Sequence, residues 1–395
     1  MAEKKNKKIQ IGFVSTYPPR ACGIATFTQD LVHELEKLPG MEPPVVIAMD
    51  QGNISYSSRV KLTIRQQERA DYQKAAYMLN RSPLDLVVIE HEYGIFGGTD
   101  GAYILDFARA LEKPLLVTLH TVLPEPSANQ RYILQELALC SRRMVTMAKR
   151  SRDLLETAYG IDAHSLAVIP HGVPMLKPSG SQAQLKQRAG LAGRTVISTF
   201  GLLSPGKGIE YGIEATAKAA KNHPELLYLI LGKTHPCVKA EQGEAYRDKL
   251  IELMKSLGAE RNVRFVNKYL TKGEIVDALA MSDLYMTPYL GKDQAVSGTL
   301  AYAAGYGKVI LSTPYCYAEE MLAGGRGVLA DFADADSLAR GIDWVLSRPE
   351  MRQQMERKMR ALGRSMLWDQ VAARYEALCR QILSEDRVLT ESQVG

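Results

Sequence analysis

The chain has 395 residues, 46% of them hydrophobic and 24% charged, a globular composition that excludes wholesale disorder and leaves room for two or three domains. Its 49 Lys and Arg against 44 Asp and Glu give a net charge of +5, too mild for a dedicated nucleic-acid binder and suited to an anionic small ligand. No run approaches the ~18 apolar residues that cross a bilayer. The charged opening (residues 1–8) leads into an apolar stretch too short for a signal peptide. Five cysteines without Cys-x-x-Cys spacing predict a reducing, cytoplasmic setting with neither a disulfide framework nor a zinc site.

In chain order, short runs rich in β-branched residues alternate with helical patterns. In the first half the runs are 9–16, 45–49, 84–90, 115–120, 144–148 and 167–170, each nearly all apolar, as strands covered on both faces of a parallel sheet are. Residues 23–38 read as an amphipathic helix with Ile24, Phe27, Leu31, Leu35 and Leu38 on one face. The pattern breaks after Ile169-Pro-His-Gly-Val-Pro174, and residues 175–194, with Pro178, Gly180 and Gly190, read as a linker. A second series follows: strands at 195–201, 226–231, 263–266, 283–288, 309–312 and 327–330, and helices at 209–220, 272–280, 298–306 and 334–346. The chain closes with helical sequence over 349–384. The expected fold is therefore α/β, two doubly wound Rossmann-like domains facing each other across a cleft at the carboxyl ends of their strands.

The strand ends carry the chemistry. The first leads through Thr16-Tyr-Pro-Pro-Arg-Ala-Cys-Gly23 into a helix, where Gly23 permits close backbone approach and the helix start offers N–H groups to an anion. Two later strand ends read Glu90-His-Glu-Tyr-Gly-Ile-Phe-Gly-Gly98 and Leu119-His-Thr121. Glu92 is a candidate general base or hydroxyl acceptor and His120 a candidate contact to a sugar hydroxyl, while His171 reads as a packing or capping residue. In the second half, Gly201-Leu-Leu-Ser-Pro-Gly-Lys-Gly208 follows a strand and opens a helix. Gly208 fails the Walker test, so a nucleoside triphosphatase is disfavoured. Gly206 and Lys207 suit a diphosphate instead. Gly291-Lys-Asp-Gln-Ala-Val-Ser-Gly-Thr299 makes another strand-to-helix turn. There Ser297, Gly298 and Thr299 present hydroxyl and backbone donors to an anion, and Asp293 is placed for sugar hydroxyls. No histidine or carboxylate spacing indicates a metal.

With these pieces in order, the chain resembles the retaining, nucleotide-sugar-dependent glycosyltransferases of family 4, which have the GT-B fold. The resemblance rests on the 18–23 loop, Leu119-His-Thr121, Ile169-Pro-His-Gly-Val173, the 201–208 turn, the 297–307 region and the closing Trp368-Asp-Gln-Val-Ala372. It implies an acceptor-side domain over 1–175, a nucleotide-sugar domain over 176–365, and a helix over 366–395 that returns to the first domain. It further implies transfer of a hexose, mannose or glucose, from a GDP-mannose or UDP-glucose type donor to a carbohydrate or small-molecule acceptor, with no metal or other cofactor. Gly23 then approaches the donor phosphates and the acceptor, and His120 contacts the transferred sugar.

Two departures mark the chain as a divergent subgroup. Leu202 stands where the family has an arginine beside the Lys207 position, and the family's Glu-x7-Glu falls on Asp293 and Ala301. A charge-assisted contact is worth about 1.5–3 kcal/mol, so a compensating cation is expected from Lys233 or Lys292, and a ribose acceptor from Glu319 or Glu320. A nucleotide-sugar epimerase of the same fold and a non-catalytic nucleotide-sugar-binding protein remain open, as do donor base, acceptor and oligomeric state. The 4–8 lysine cluster leaves weak contact with a membrane surface open as well.

Overall fold

The structure, a computed structural model, describes residues 7–20, 22–52 and 54–394, with the side chains of 387 and 389–394 left out. Ala21, in the 18–23 loop, and Lys4 and Lys5, of the lysine cluster, lie outside the described residues. The chain forms two compact units, residues 1–172 with 368–395, and residues 173–367.

The first unit is built on seven parallel strands: β1 (Ile11–Ser15), β2 (Val45–Asp50), β3 (Val60–Arg65), β4 (Leu86–His91), β5 (Leu115–Leu119), β6 (Arg143–Thr146) and β7 (Leu166–Val168), ordered β3-β2-β1-β4-β5-β6-β7. β1, β4 and β5 are buried along their whole length, which is why their sequences are apolar except at Ser15, Glu90, His91 and Thr118. β3 is the strand the sequence reading missed. Its Val60-Lys-Leu-Thr-Ile-Arg65 alternates because it is an edge strand with one wet face, and a search for continuous apolar runs passes over that pattern.

The second unit holds six parallel strands, β8 (Thr195–Phe200), β9 (Leu226–Leu231), β10 (Val263–Val266), β11 (Leu284–Thr287), β12 (Ile310–Ser312) and β13 (Val328–Leu329), ordered β10-β9-β8-β11-β12-β13. Ile197, Tyr228, Ile230, Leu284 and Leu311 from these strands pack with Ile213 and Ile342 from the covering helices in one buried cluster. The stretch read as a linker contains a short helix, Gln182–Arg188, started by a reciprocal cap between Ser181 and Gln184.

The first helix, Gly23–Leu35, stops three residues earlier than its apolar face suggested. The closing helical sequence is two helices, Pro349–Gly363 and Trp368–Val394. Only the second packs on the first unit. There Tyr375 Oη meets Thr118 Oγ1 at 3.1 Å, Arg380 donates to the Gly40 carbonyl at 3.0 Å, and Arg143 pairs with Glu385 at 2.8 Å. Among the described residues no helix is long and apolar enough to cross a membrane, and no three His, Cys, Asp or Glu side chains converge to hold a metal. In each sheet the strand order reverses at one point, between β1 and β4 and between β8 and β11, and the carboxyl ends of strands at such a point are where α/β proteins bind ligands.

Candidate functional site

In the first unit the switch point is flanked by the loop after β1 and the ends of β4 and β5. Gly23 begins the helix Gly23–Leu35 without a side-chain cap, and a Cβ built there would meet nothing within 4 Å among the described residues. The helix start therefore faces open space, with its first N–H groups lacking intrahelical partners.

His120, one residue beyond β5, directs Nε2 to the fully buried carboxylate of Glu90 at 2.8 Å. Its ring stands edge-on to Phe27, 4.8 Å between centroids. Among the described residues no hydrogen bond reaches its Nδ1. Burial holds the Glu90 carboxyl above its ordinary range, and His120 works against that rise. Glu90 is the residue that sequence reasoning passed over: on a strand it looks like a core position, and only the neighbouring strand shows it gripping His120.

Glu92 is placed differently from a free base. One oxygen accepts from the Tyr93 amide at 3.0 Å, and the other accepts from the Thr121 hydroxyl. It caps the turn Tyr93–Ile95 and ties that turn to the residue after His120. His171 is half-buried, its Nδ1 at 2.7 Å from the Gly172 carbonyl, and desolvation pushes it down to about 4. Phe27 touches His120, His171 and Trp368 at once, so the Trp368 helix stiffens the wall behind His120.

In the second unit, β8 runs into Gly201 and the turn Pro205–Lys207. Gly208 has φ +57°, and a Cβ there would sit 2.0 Å from the Pro288 carbonyl oxygen, so only glycine fits. Beside it, Gly232 at the end of β9 has φ +153°, and a Cβ there would strike the Gly201 carbonyl oxygen at 1.8 Å. The two turns are locked backbone to backbone.

This locking aims Lys207. Its Nζ lies 3.8 Å from the centroid of the Tyr289 ring, and among the described residues no carboxylate pairs with it. Tyr289 Oη is 2.8 Å from Thr299 Oγ1, and Thr299 Oγ1 is 3.2 Å from Ser297 Oγ. Ser297 caps the helix Gly298–Gly305 by accepting from the Leu300 amide at 3.3 Å. The structure thus brings Lys207, Ser297, Gly298 and Thr299 to one edge of the sheet, with Gly206 exposed on the turn. An ammonium and the positive end of a helix both attract an anion, and here the ammonium is held over a ring face.

The other expected donor residues are scattered around it. Asp293 is exposed and takes no hydrogen bond among the described residues. Lys233 and Lys292 are exposed on the neighbouring turns. Glu320 is half-buried on the helix Cys316–Leu322, its main-chain carbonyl accepting from Arg326 at 2.7 Å. Ala301 is fully buried, so no carboxylate occupies the second position of the Glu-x7-Glu spacing.

One cation went unnoticed in the sequence. Arg247, 5% exposed, donates from Nη2 to the Gly232 carbonyl at 2.6 Å. It lies directly behind the Gly201–Gly232 contact. Residing in an unremarkable helix, Ala245–Ser256, it carried no motif that would have revealed it.

Residues 21–175 match the family model for Glycosyltransferase Family 4, and residues 181–362 match that for Glycosyl transferases group 1. The chain is 23% identical over 242 residues to an exopolysaccharide phosphotransferase of Streptomyces coelicolor, a match that takes in 61% of this chain and 23% of that protein. The chain thus spans about a quarter of that curated relative. Among solved structures, a sucrose-phosphate synthase from Thermosynechococcus elongatus is similar at 15% identity and TM-score 0.76, covering 96% of this chain and 100% of the other. The Anabaena protein HepE, in complex with UDP and glucose, aligns at 18% identity and TM-score 0.71 over 97% of this chain and 100% of the other. Two doubly wound units, a glycine-locked lysine turn beside a capped helix start, and family matches to both halves agree: the chain belongs to the GT-B glycosyltransferases of the group 1 and family 4 type.

Proposed function

We propose that this protein transfers a hexose from a nucleoside-diphosphate sugar to a carbohydrate or small-molecule acceptor, retaining the anomeric configuration and needing no metal ion. The observation that carries this reading is Lys207, an ammonium free of any carboxylate among the described residues, held over Tyr289 beside the Ser297–Thr299 helix start. A cation so placed is available to a diphosphate. HepE, which shares the fold, was crystallised with UDP-glucose, which favours a UDP donor; GDP-mannose is the second candidate.

In the reaction, the bond between the anomeric carbon and the diphosphate oxygen breaks as the acceptor oxygen bonds to that carbon. The acceptor proton passes to the leaving phosphate. Negative charge grows on the diphosphate as the bond breaks, and Lys207 with the Gly298 and Thr299 amides stabilises it in place. Arg247, paired with Glu244 at 3.4 Å and bonded to the Gly232 carbonyl, braces the turn from behind and does not replace the family's arginine at Leu202. Asp293 and Glu320 supply carboxylates for donor hydroxyls, and Lys233 a further cation. In the first unit His120, oriented by Glu90, contacts the transferred sugar, Gly23 gives the donor or acceptor close approach to the backbone, and Glu92 holds the loop that carries His120. A reducing, cytoplasmic setting belongs to this reading, and the five free cysteines are consistent with it.

Turnover of UDP-glucose and GDP-mannose against a panel of sugar acceptors tests the proposal. Lys207→Ala is expected to lower kcat by about ten- to a hundredfold, the worth of one charge-assisted contact in the transition state, with an unchanged melting temperature. Turnover near that of the wild type in this variant rejects the phosphate role. Sugar altered in the absence of any acceptor points to epimerisation instead.

A further inference from the structure

The second unit contains a cavity of about 280 Å³ lined by Asp283, Tyr306, Lys308, Arg352, Glu356 and Arg360 among others. It lies at the wrong end of the sheet for the donor. Asp283 immediately precedes β11 and Lys308 lies two residues before β12, so the cavity opens at the amino ends of these strands. The Lys207 turn and the Ser297 helix start follow β8 and β11 at their carboxyl ends.

The charges in the cavity do not cancel. Asp283 is saturated: it accepts from Lys186 Nζ at 2.5 Å, from the Val196 amide at 2.8 Å and from Gln182 Nε2 at 3.0 Å. Glu356 pairs with Arg360 at 3.2 Å, one turn along the helix Pro349–Gly363. Two cations remain. Lys308 Nζ donates to the Ser282 carbonyl at 2.5 Å and, among the described residues, meets no carboxylate within ion-pair distance. Arg352 makes no side-chain hydrogen bond or ion pair among the described residues, and its Nε is buried without a partner. A buried donor left unpaired destabilises the fold, and two cations without carboxylate partners lining one cavity add to that cost. An anion in the cavity removes it.

We propose that this cavity is a second ligand site, separate from the donor site, that takes a phosphate dianion, free or as the monoester of a small sugar, between Arg352 and Lys308. Two cations match the charge of a phosphate dianion. Arg352 offers a planar fork and Lys308 a point charge. Tyr306 and Pro178 give an apolar wall against which a sugar ring can lie. The volume, near the lower end of small-molecule sites, accommodates a phosphate or a monosaccharide phosphate and is too small for a nucleotide sugar. Burial already pushes Lys308 down to about 8, with Arg352 and Arg360 adding to the fall and Glu356 and Asp283 opposing it. A bound dianion supplies the counter-charge that keeps Lys308 protonated, so affinity is expected to fall as pH rises above 8.

The test is a thermal-shift and calorimetric titration of the full chain with inorganic phosphate and, separately, glucose 6-phosphate, at constant ionic strength and with saturating UDP blocking the donor site. Both Arg352→Gln and Lys308→Met are measured beside the wild type. The expected result is saturable binding in the wild type that weakens at least tenfold in each variant, while UDP binding is unchanged in both. Tighter binding of glucose 6-phosphate than of phosphate identifies a sugar phosphate as the ligand, and equal binding identifies phosphate itself. If neither anion binds while UDP saturates, or if both variants bind as the wild type does, the proposal is overturned. Because the readout is binding under UDP saturation, its failure is distinguishable from failure of the transferase reading, which Lys207→Ala tests.

Discussion

His91 illustrates how far a single buried side chain can control this protein. It is fully buried on β4, and among the described residues neither ring nitrogen has a hydrogen-bond partner. Its ring stacks on Phe96 and stands edge-on to Tyr93. Burial pushes it down to about 3, so the folded state keeps it neutral while the unfolded chain takes up a proton near its ordinary 6.5. Its contribution to stability is thus complete above pH 6.5 and is lost as pH falls from 6.5 towards 3. His171 acts in the same direction from 6.5 to about 4. Glu90 acts oppositely: its carboxyl is held above its ordinary range, so what it contributes is lost as pH rises from about 4.5. His91→Phe keeps the ring packing and removes one acid-sensitive group. Relative to the wild type, it is expected to gain stability by on the order of 2 kcal/mol at pH 5 compared with pH 8. Denaturant unfolding at the two pH values measures this, and an equal effect at both shows that His91 does not titrate on unfolding.

At the scale of elements, the strand-to-helix turns of the second unit depend on backbone contacts rather than side chains. Gly208 joins the Pro205–Lys207 turn to the helix Ile209–Ala219 in a left-handed conformation pressed against the Pro288 carbonyl. A methyl group there suffers both the conformational cost and the clash. Gly208→Ala is expected to destabilise the second unit by about 2 kcal/mol or more and to displace Lys207 from the Tyr289 face. Chemical denaturation measures the first effect and UDP calorimetry the second. The turn itself was legible in the sequence, because glycines after an apolar run imply a tight turn before a helix. That Gly208 approaches the segment after β11 was not legible, since that contact joins residues eighty positions apart. Glu90 and Arg247 were hidden for the same reason.

For the whole molecule, the chain order matters. The second unit is one continuous segment, 173–367, whereas the first needs both 1–172 and the returning helix. That helix buries Trp368, Val371, Ala372, Tyr375, Cys379 and Ile382. A fragment of residues 173–367 is therefore expected to fold alone and melt cooperatively, while residues 1–172 without the helix lose several fully buried side chains at roughly 1.5–3 kcal/mol each and do not fold. Circular dichroism melts of the two fragments check this. A cooperative melt of 1–172 alone shows that the helix is dispensable.

The sequence by itself determined the two α/β sheets, because a strand covered on both faces must be apolar along its length, and that pattern is local. It also located the glycine turns, His120 and Lys207, which lie at strand ends where chain direction alone assigns them to the carboxyl edge of a sheet. Tertiary structure decided what those residues touch. Strand pairing put Glu90 behind His120, packing put Tyr289 beneath Lys207, and helix return put Trp368 against Phe27. The edge strand β3 and the unpaired Arg352 and Lys308 likewise emerged only in three dimensions. Burial and charge pairing are properties of neighbours in space, and a linear pattern carries no record of residues that meet across a hundred positions.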